Sequence, residues 1–166
     1  GVLHHMSEPV EGWKVLRDCL KPGGLMKIGL YSELARQDIV KIRREISNKS
    51  FGSSDSELKS FRNKLINSDK NHYKLILNSY DFYSISAVKD LLFHEKEHRF
   101  TIDQIQKCLS QLELRFCGFE DKKIVSEFKQ TNANMEDCYV LDKWKVYEEA
   151  NPKVFSGMYQ FWCQKM

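Results

Sequence analysis

The sequence lacks the features that mark several common classes of protein. No G-x-G stretch occurs among its eight glycines, and no two of its five cysteines have the C-x-x-C spacing. These absences argue against a complete dinucleotide-binding motif, a disulfide framework and a structural zinc site. Scattered cysteines in odd number fit a reducing compartment, so we expect a cytoplasmic protein.

A long apolar run and a dominant charge are also missing. No run approaches the ~20 residues that are needed to cross a bilayer. The 26 Lys and Arg residues nearly balance the 23 Asp and Glu residues, and the net charge of +3 provides no electrostatic footprint for nucleic acid. We therefore expect neither a membrane nor a nucleic-acid partner.

The 166 residues, of which 42% are hydrophobic, suffice for one core, and we expect a single domain over 1–166. Apolar spacing after Pro9 predicts a helix over 9–20, and the Pro22–Gly24 turn precedes a strand over 25–31 that we expect to be covered on both faces. Further strands are predicted at 114–120 and 158–164. Further helices are predicted from residue 33, from Ser54 to Asn67, within 71–93, over 101–113 and over 141–151.

Two motifs lie near the start of the chain, "GVLHHM" and "LKPGGLMKIGLY". They resemble the turn after the fourth strand and the fifth strand of class I S-adenosylmethionine-dependent methyltransferases. The segments "YDFYSISAVKDLLFHEKEHRFT", "LELRFCGFE" and "WKVYEEANPKVFSGMYQFWCQK" resemble a bacterial branch of it, sometimes joined to tetratricopeptide repeats. The likeness spans nearly the whole chain and implies the carboxy-terminal part of a larger enzyme.

This resemblance implies an α/β fold, a truncated Rossmann-like methyltransferase with a small mixed sheet. Its strands are expected in the spatial order 25–31, 158–164, 114–120, with 158–164 antiparallel to its neighbours. Residues 33–113 become a large helical cap inserted into the domain. The strand 25–31 then has a bare edge, and because such edges pair with other chains, we expect a homodimer that covers it.

The resemblance also implies that the full-length protein transfers a methyl group from S-adenosylmethionine to a small-molecule acceptor. A glycine-rich turn and an acidic residue normally hold such a cofactor, and this sequence contains neither. We therefore expect the chain alone to bind no S-adenosylmethionine and to be inactive.

The candidate pocket residues fall at the ends of predicted elements. In the resembled family the turn at His4 and His5 lies at the pocket, where an imidazole orients a substrate or moves a proton. Tyr31 and Ser32 end a strand at its carboxyl edge, where open α/β sheets place ligands. The insertion contributes the remaining candidates, which are Tyr83, His94, His98, Arg99 and Phe100.

These residues also have a structural interpretation, which the sequence leaves open. Either histidine, and Tyr31, serves equally well as a packed side chain. Aromatic residues are mostly core material, so those of the insertion can pack the cap instead of lining a pocket. They are Tyr80, Phe82, Tyr83, Phe93 and Phe100. The outer face of the helix predicted from residue 33 is interpreted as solvated, and its charged residues are Arg36, Lys41, Arg43, Arg44 and Glu45.

Two alternatives to a methyltransferase remain. "HEKEH" at 94–98 matches the H-E-x-x-H signature of zinc metalloproteases, which needs a continuous helix through both histidines and a third ligand. Because a new capped helix is predicted from Thr101, we expect no metal site. The second alternative is a non-catalytic, dimeric helical interaction module that uses the same aromatic residues as a contact surface.

Overall fold

The computed structural model describes residues 2–48, 54–77, 80–93, 97–132 and 134–166. The helices within these ranges are α1 (Pro9–Asp18), α2 (Gln37–Asn48), α3 (Asp55–Ile66), α4 (Asn71–Leu77), α5 (Ile85–Phe93), α6 (Ile102–Gln111), α7 (Lys122–Thr131) and α8 (Leu141–Ala150). The strands are β1 (Leu25–Ser32), β2 (Arg99–Phe100), β3 (Leu114–Phe119) and β4 (Tyr159–Lys165). Of the helices in these ranges, none is both long and apolar enough to cross a membrane.

The chain forms two compact units, one of Gly1–Ala35 with Lys96–Met166 and the other of Arg36–Glu95. The first unit contains a four-stranded sheet with the order β2-β1-β4-β3. β4 runs antiparallel to both β1 and β3, and β2 runs parallel to β1. The predicted order and directions of the three longer strands are therefore observed, and β2 is an addition that the sequence analysis did not predict.

One face of this sheet carries the core of the first unit. Ile28 and Leu30 of β1 lie opposite Phe161 and Tyr159 of β4, and all four side chains are at most 2% exposed. The other face of β1 is open at its start, where Leu25 is 54% exposed and Lys27 is also exposed, whereas Gly29 and Tyr31 on this face are half-buried. The prediction that both faces of 25–31 are covered is therefore wrong for the start of the strand.

Aromatic side chains fill the space between the sheet and its helices. Trp144 of α8 stacks on Phe128 of α7 with 3.8 Å between ring centroids, and its indole N–H donates to the Cys138 carbonyl. Trp13 of α1 packs against Phe161. Asp121 caps α7 by accepting two backbone N–H bonds, and the sequence analysis missed this helix.

The second unit is helical and has a core of its own, which includes Ile42, Phe61 and Val88. The interpretation of the charges from Arg36 to Glu45 as a solvated face is wrong for three of them, of which Arg36 is only 7% exposed. Arg43 donates through Nε to the Leu91 carbonyl at 2.9 Å, and Glu45 accepts bonds from residues of α4 and from Lys70 just before it. These bonds hold α2 against α4 and α5.

Candidate functional site

The carboxyl end of β1 brings most of the predicted site residues together. They are His4, His5, Tyr31, Ser32, His98, Arg99 and Phe100. Tyr83 belongs to the Arg36–Glu95 unit, where it is 74% exposed and its ring meets that of Phe82. His94 lies outside the described residues. Ligand binding at this cluster stays a prediction.

The histidines lie in a 3₁₀ turn, Leu3–His5, ahead of α1. The His4 ring is 2% exposed and lies 4.5 Å from the Tyr31 ring, measured between centroids. The ring of His5, half-buried, lies 4.2 Å from that of His4. The backbone N–H of His98 donates to the His4 carbonyl at 2.8 Å, which joins the turn to the segment before β2.

Arg99 is held at this end of the sheet by the ladder and by an ion pair. It lies opposite Tyr31 in the parallel pairing of β2 with β1. Its Nε donates to Glu33 Oε2 at 2.9 Å, and the Glu33 backbone N–H donates to the Phe100 carbonyl at the same distance. A second carboxylate, that of Glu97, lies 3.9 Å from the Arg99 guanidinium. The cluster therefore combines a fixed cation, that of Arg99, with the imidazole rings of His4 and His5.

Ser32 and Phe100 face the interior. Phe100 is 7% exposed and belongs to the core of the first unit. Ser32 is 1% exposed, and its hydroxyl donates to Glu148 Oε1 at 2.6 Å. Glu148 also accepts bonds from the Tyr159 hydroxyl at 2.6 and 2.7 Å. Burial raises the pKa of the Glu148 carboxyl, although the bonds from Ser32 and Tyr159 oppose this.

The sequence analysis identified neither Glu148 nor Tyr159 as a site residue. A signal for Glu148 was present, since it follows Leu141 and Trp144 on the buried stripe of α8. A carboxylate at such a position needs buried donors, because an unpaired charge in the core is costly. The spacing alone does not identify those donors.

Of the H-E-x-x-H pattern at 94–98, the structure describes Glu97 and His98, and both lie outside any helix. The metalloprotease geometry requires both histidines on one continuous helix, and His98 does not meet this requirement. In the part of the chain that the structure describes, no three His, Cys, Asp or Glu side chains are grouped to hold a metal ion.

The adjacent glycines of the sequence lie away from the candidate cluster. The pair Gly23–Gly24 lies in the turn before β1, at the amino end of this strand. Gly23 has a φ of +77°, which favours glycine, and its N–H donates to the Lys165 carbonyl. This pair therefore shapes the link between α1 and β1.

An apolar groove with a volume of 670 Å³ lies beside β1. Met158 covers Gly29 so closely that a Cβ there would lie 2.7 Å from the Met158 sulfur. Val15 and Leu16 of α1 are 63% and 46% exposed along the groove. The remaining lining residues are Val2, Leu3, Met6, Gly12, Lys27, Ile28 and Gln160.

Known proteins resemble this chain in sequence over a short stretch and in structure over nearly its whole length. No family model matches the chain. An uncharacterized protein of Synechococcus sp., syc1184_c, is 38% identical over 47 residues, which are 28% of this chain and 11% of that protein. PKMT2 from Rickettsia typhi, solved in complex with AdoHcy, has a TM-score of 0.60 at 14% identity and is matched over 99% of this chain and 33% of its own. Another structure of PKMT2 gives a TM-score of 0.59 at 16% identity over the same shares.

These comparisons show a methyltransferase-like α/β fold. The chain spans about a tenth of the curated relative and about a third of the solved structures. PKMT2 therefore contains this arrangement of helices and strands within a considerably longer chain.

Proposed function

We propose that this chain is the carboxy-terminal part of an S-adenosylmethionine-dependent methyltransferase and supplies the acceptor side of its site. The likeness to PKMT2 carries the proposal, because it extends over 99% of this chain and PKMT2 was solved with AdoHcy. AdoHcy is the product that remains when S-adenosylmethionine gives up its methyl group. The five cysteines, all free, are compatible with a reducing cytoplasm.

The cluster at the carboxyl end of β1 has the chemistry of an acceptor site. Methyl transfer from a sulfonium is an in-line displacement that depends mainly on the positioning of the acceptor. Arg99, held by Glu33, would anchor a small acceptor. If methylation requires the acceptor to lose a proton, His5 or His98 would act as the general base that removes it. The cofactor would be bound mainly by parts of the enzyme that lie outside this chain.

Calorimetry with AdoHcy tests the proposal on two proteins, the 166-residue chain and a longer product of the same reading frame. We expect the chain alone to bind no more tightly than about 1 mM and the longer protein to bind in the micromolar range. In the longer protein, Arg99→Gln should raise KM for the acceptor and leave AdoHcy binding unchanged. Micromolar binding by the chain alone would contradict the division of the site, and no binding by either protein would contradict the methyltransferase function.

The open edge of β1 supports a second proposal, that the chain forms a homodimer. The alternative function, a non-catalytic interaction module, also includes a dimer. β2 pairs only with Tyr31 and Ser32, so that among the described residues Leu25–Leu30 has no strand neighbour on the side away from β4. The apolar groove is lined in part by Lys27, Ile28 and Gly29 of this strand. A second copy that pairs along β1 would satisfy the free backbone groups and bury Val15 and Leu16.

Light scattering with a matched pair of variants tests the dimer. Val15, beside the groove, and Val146, on α8, are 63% and 65% exposed, so a lysine costs little folding energy at either position. We expect Val15→Lys to convert a dimer into a monomer and Val146→Lys to leave the dimer intact. A wild-type chain that remains monomeric at high concentration would contradict the proposal.

A further inference from the structure

A buried carboxyl group connects three elements beneath the candidate site. The Glu148 side chain, on α8, is 2% exposed. It accepts a hydrogen bond from the Ser32 hydroxyl at the end of β1 and bonds from the Tyr159 hydroxyl at the start of β4. The cluster therefore links α8, β1 and β4 at the edge of the sheet where the candidate site lies.

Ser32, which is bonded to Glu148, also restrains the turn that follows β1. Its Oγ also accepts the Ala35 backbone N–H at 3.0 Å, which closes the turn over residues 32–35. Glu33 lies within that turn, and its carboxylate accepts the bond from Arg99 Nε. Tyr31, on the other side of Ser32, contacts the His4 ring.

The strand ladder alone restrains this region weakly. β2 pairs with β1 at only two positions, Tyr31 with Arg99 and Ser32 with Phe100. A buried carboxyl group is a costly way to obtain stability, since an apolar side chain of similar volume often serves as well or better. Its hydrogen bonds have directions, however, and therefore fix a turn that apolar packing would leave less defined.

We propose that Glu148 is a positioning residue, whose hydrogen bonds to Ser32 and Tyr159 fix the turn after β1 and thereby the Arg99–Glu33 pair. Its relevance to acceptor binding rests on the proposed function, but the positioning itself does not. Other charged groups nearby are Glu149, Glu33 and Lys153, whose Nζ donates to the Ala35 carbonyl.

The Nε–H signal of Arg99 in a ¹H–¹⁵N correlation spectrum of the 166-residue chain measures this directly. In the wild type this proton is in a hydrogen bond to Glu33, so it should exchange slowly with water. We expect Glu148→Leu to speed its exchange at least about tenfold, and Glu148→Gln, which keeps an acceptor oxygen, to restore slow exchange in large part. The control is Glu149→Gln, at the exposed neighbouring residue, which should leave the exchange rate of the Arg99 Nε–H unchanged.

A second control separates positioning from general destabilisation. Phe128→Leu removes part of the core at α7, and its Arg99 Nε–H should exchange as in the wild type. Equal effects of Phe128→Leu and Glu148→Leu would overturn the proposal, and so would slow exchange in Glu148→Leu. If Glu148→Leu does not fold, Ser32→Ala decides in the same assay, with fast exchange expected and slow exchange overturning the proposal.

The outcome does not depend on cofactor binding. Fast exchange in Glu148→Leu, combined with no AdoHcy binding by the longer protein, would leave the positioning role intact and remove the methyltransferase proposal alone.

Discussion

Replacing Glu45 by glutamine removes a charge that holds α2 to the start of α4. Its carboxylate accepts two bonds from Lys70 Nζ at 2.8 and 2.9 Å, one from His72 Nε2 at 3.0 Å and one from the Tyr73 hydroxyl. Burial alone would raise the pKa of Glu45. The bonds from Lys70, Tyr73 and His72 outweigh burial and lower this pKa from 4.5 to about 2.

The size of the effect follows from this pKa. A fall from 4.5 to about 2 corresponds to at most about 3 kcal/mol of folding free energy. The side chain is 26% exposed, and screening by solvent reduces the expected contribution to about 1 kcal/mol. Because the folded-state pKa is depressed, this stabilisation is fully present above about pH 4.5 and is lost as the pH falls towards 2.

Urea denaturation followed by circular dichroism measures the difference. We expect Glu45→Gln to be less stable than the wild type by about 1 kcal/mol at pH 7, with the difference shrinking steadily below pH 4.5. The control is Glu127→Gln, since this carboxylate is 47% exposed and lies 3.9 Å from Lys123, and its effect should stay within about 0.5 kcal/mol. A difference between Glu45→Gln and wild type that does not change with pH would refute the electrostatic reasoning.

Two further predictions concern the core of the first unit. Trp144→Ala should lower the free energy of unfolding by about 4 kcal/mol in urea denaturation, because Trp144 is fully buried and stacked on Phe128. A loss below about 1 kcal/mol would contradict this packing. Burial raises the pKa of the Cys163 thiol to about 12, so iodoacetamide should alkylate exposed Cys19 far faster than Cys163, as read by mass spectrometry. Equal alkylation rates of Cys19 and Cys163 in the native protein would contradict the burial of Cys163.

Local sequence signals predicted most of the longer elements. The helices predicted from Ser54 and from Thr101 each begin with a capping box, Ser54 with Glu57 and Thr101 with Gln104. The helix after Pro9 and the three longer strands also lie where the apolar pattern indicated. Helices and their caps depend on groups that are close in sequence, and the apolar pattern of a strand can be recognised even though its hydrogen-bond partners are distant.

Elements that depend on distant partners were harder to predict. β2 is two residues long and exists only because Tyr31 and Ser32 lie beside it. No alternation of apolar side chains can indicate so short a strand. α7 had a local signal that the sequence analysis did not use, since Asp121 precedes Ile124 and Phe128 at helical spacing.

The location of the candidate cluster was predictable, and its internal contacts were not. The carboxyl end of a parallel strand is where open α/β sheets collect functional side chains, so Tyr31 and the residues near it could be selected by topology alone. The bond between Ser32 and Glu148, by contrast, joins residues 116 positions apart. The α8 spacing shows that Glu148 faces inward, but a buried carboxylate can be satisfied by any hydroxyl, amide or cation in reach. The choice of Ser32 follows only from the position of α8 over the end of β1, and that position is set by the aromatic packing between helices and sheet.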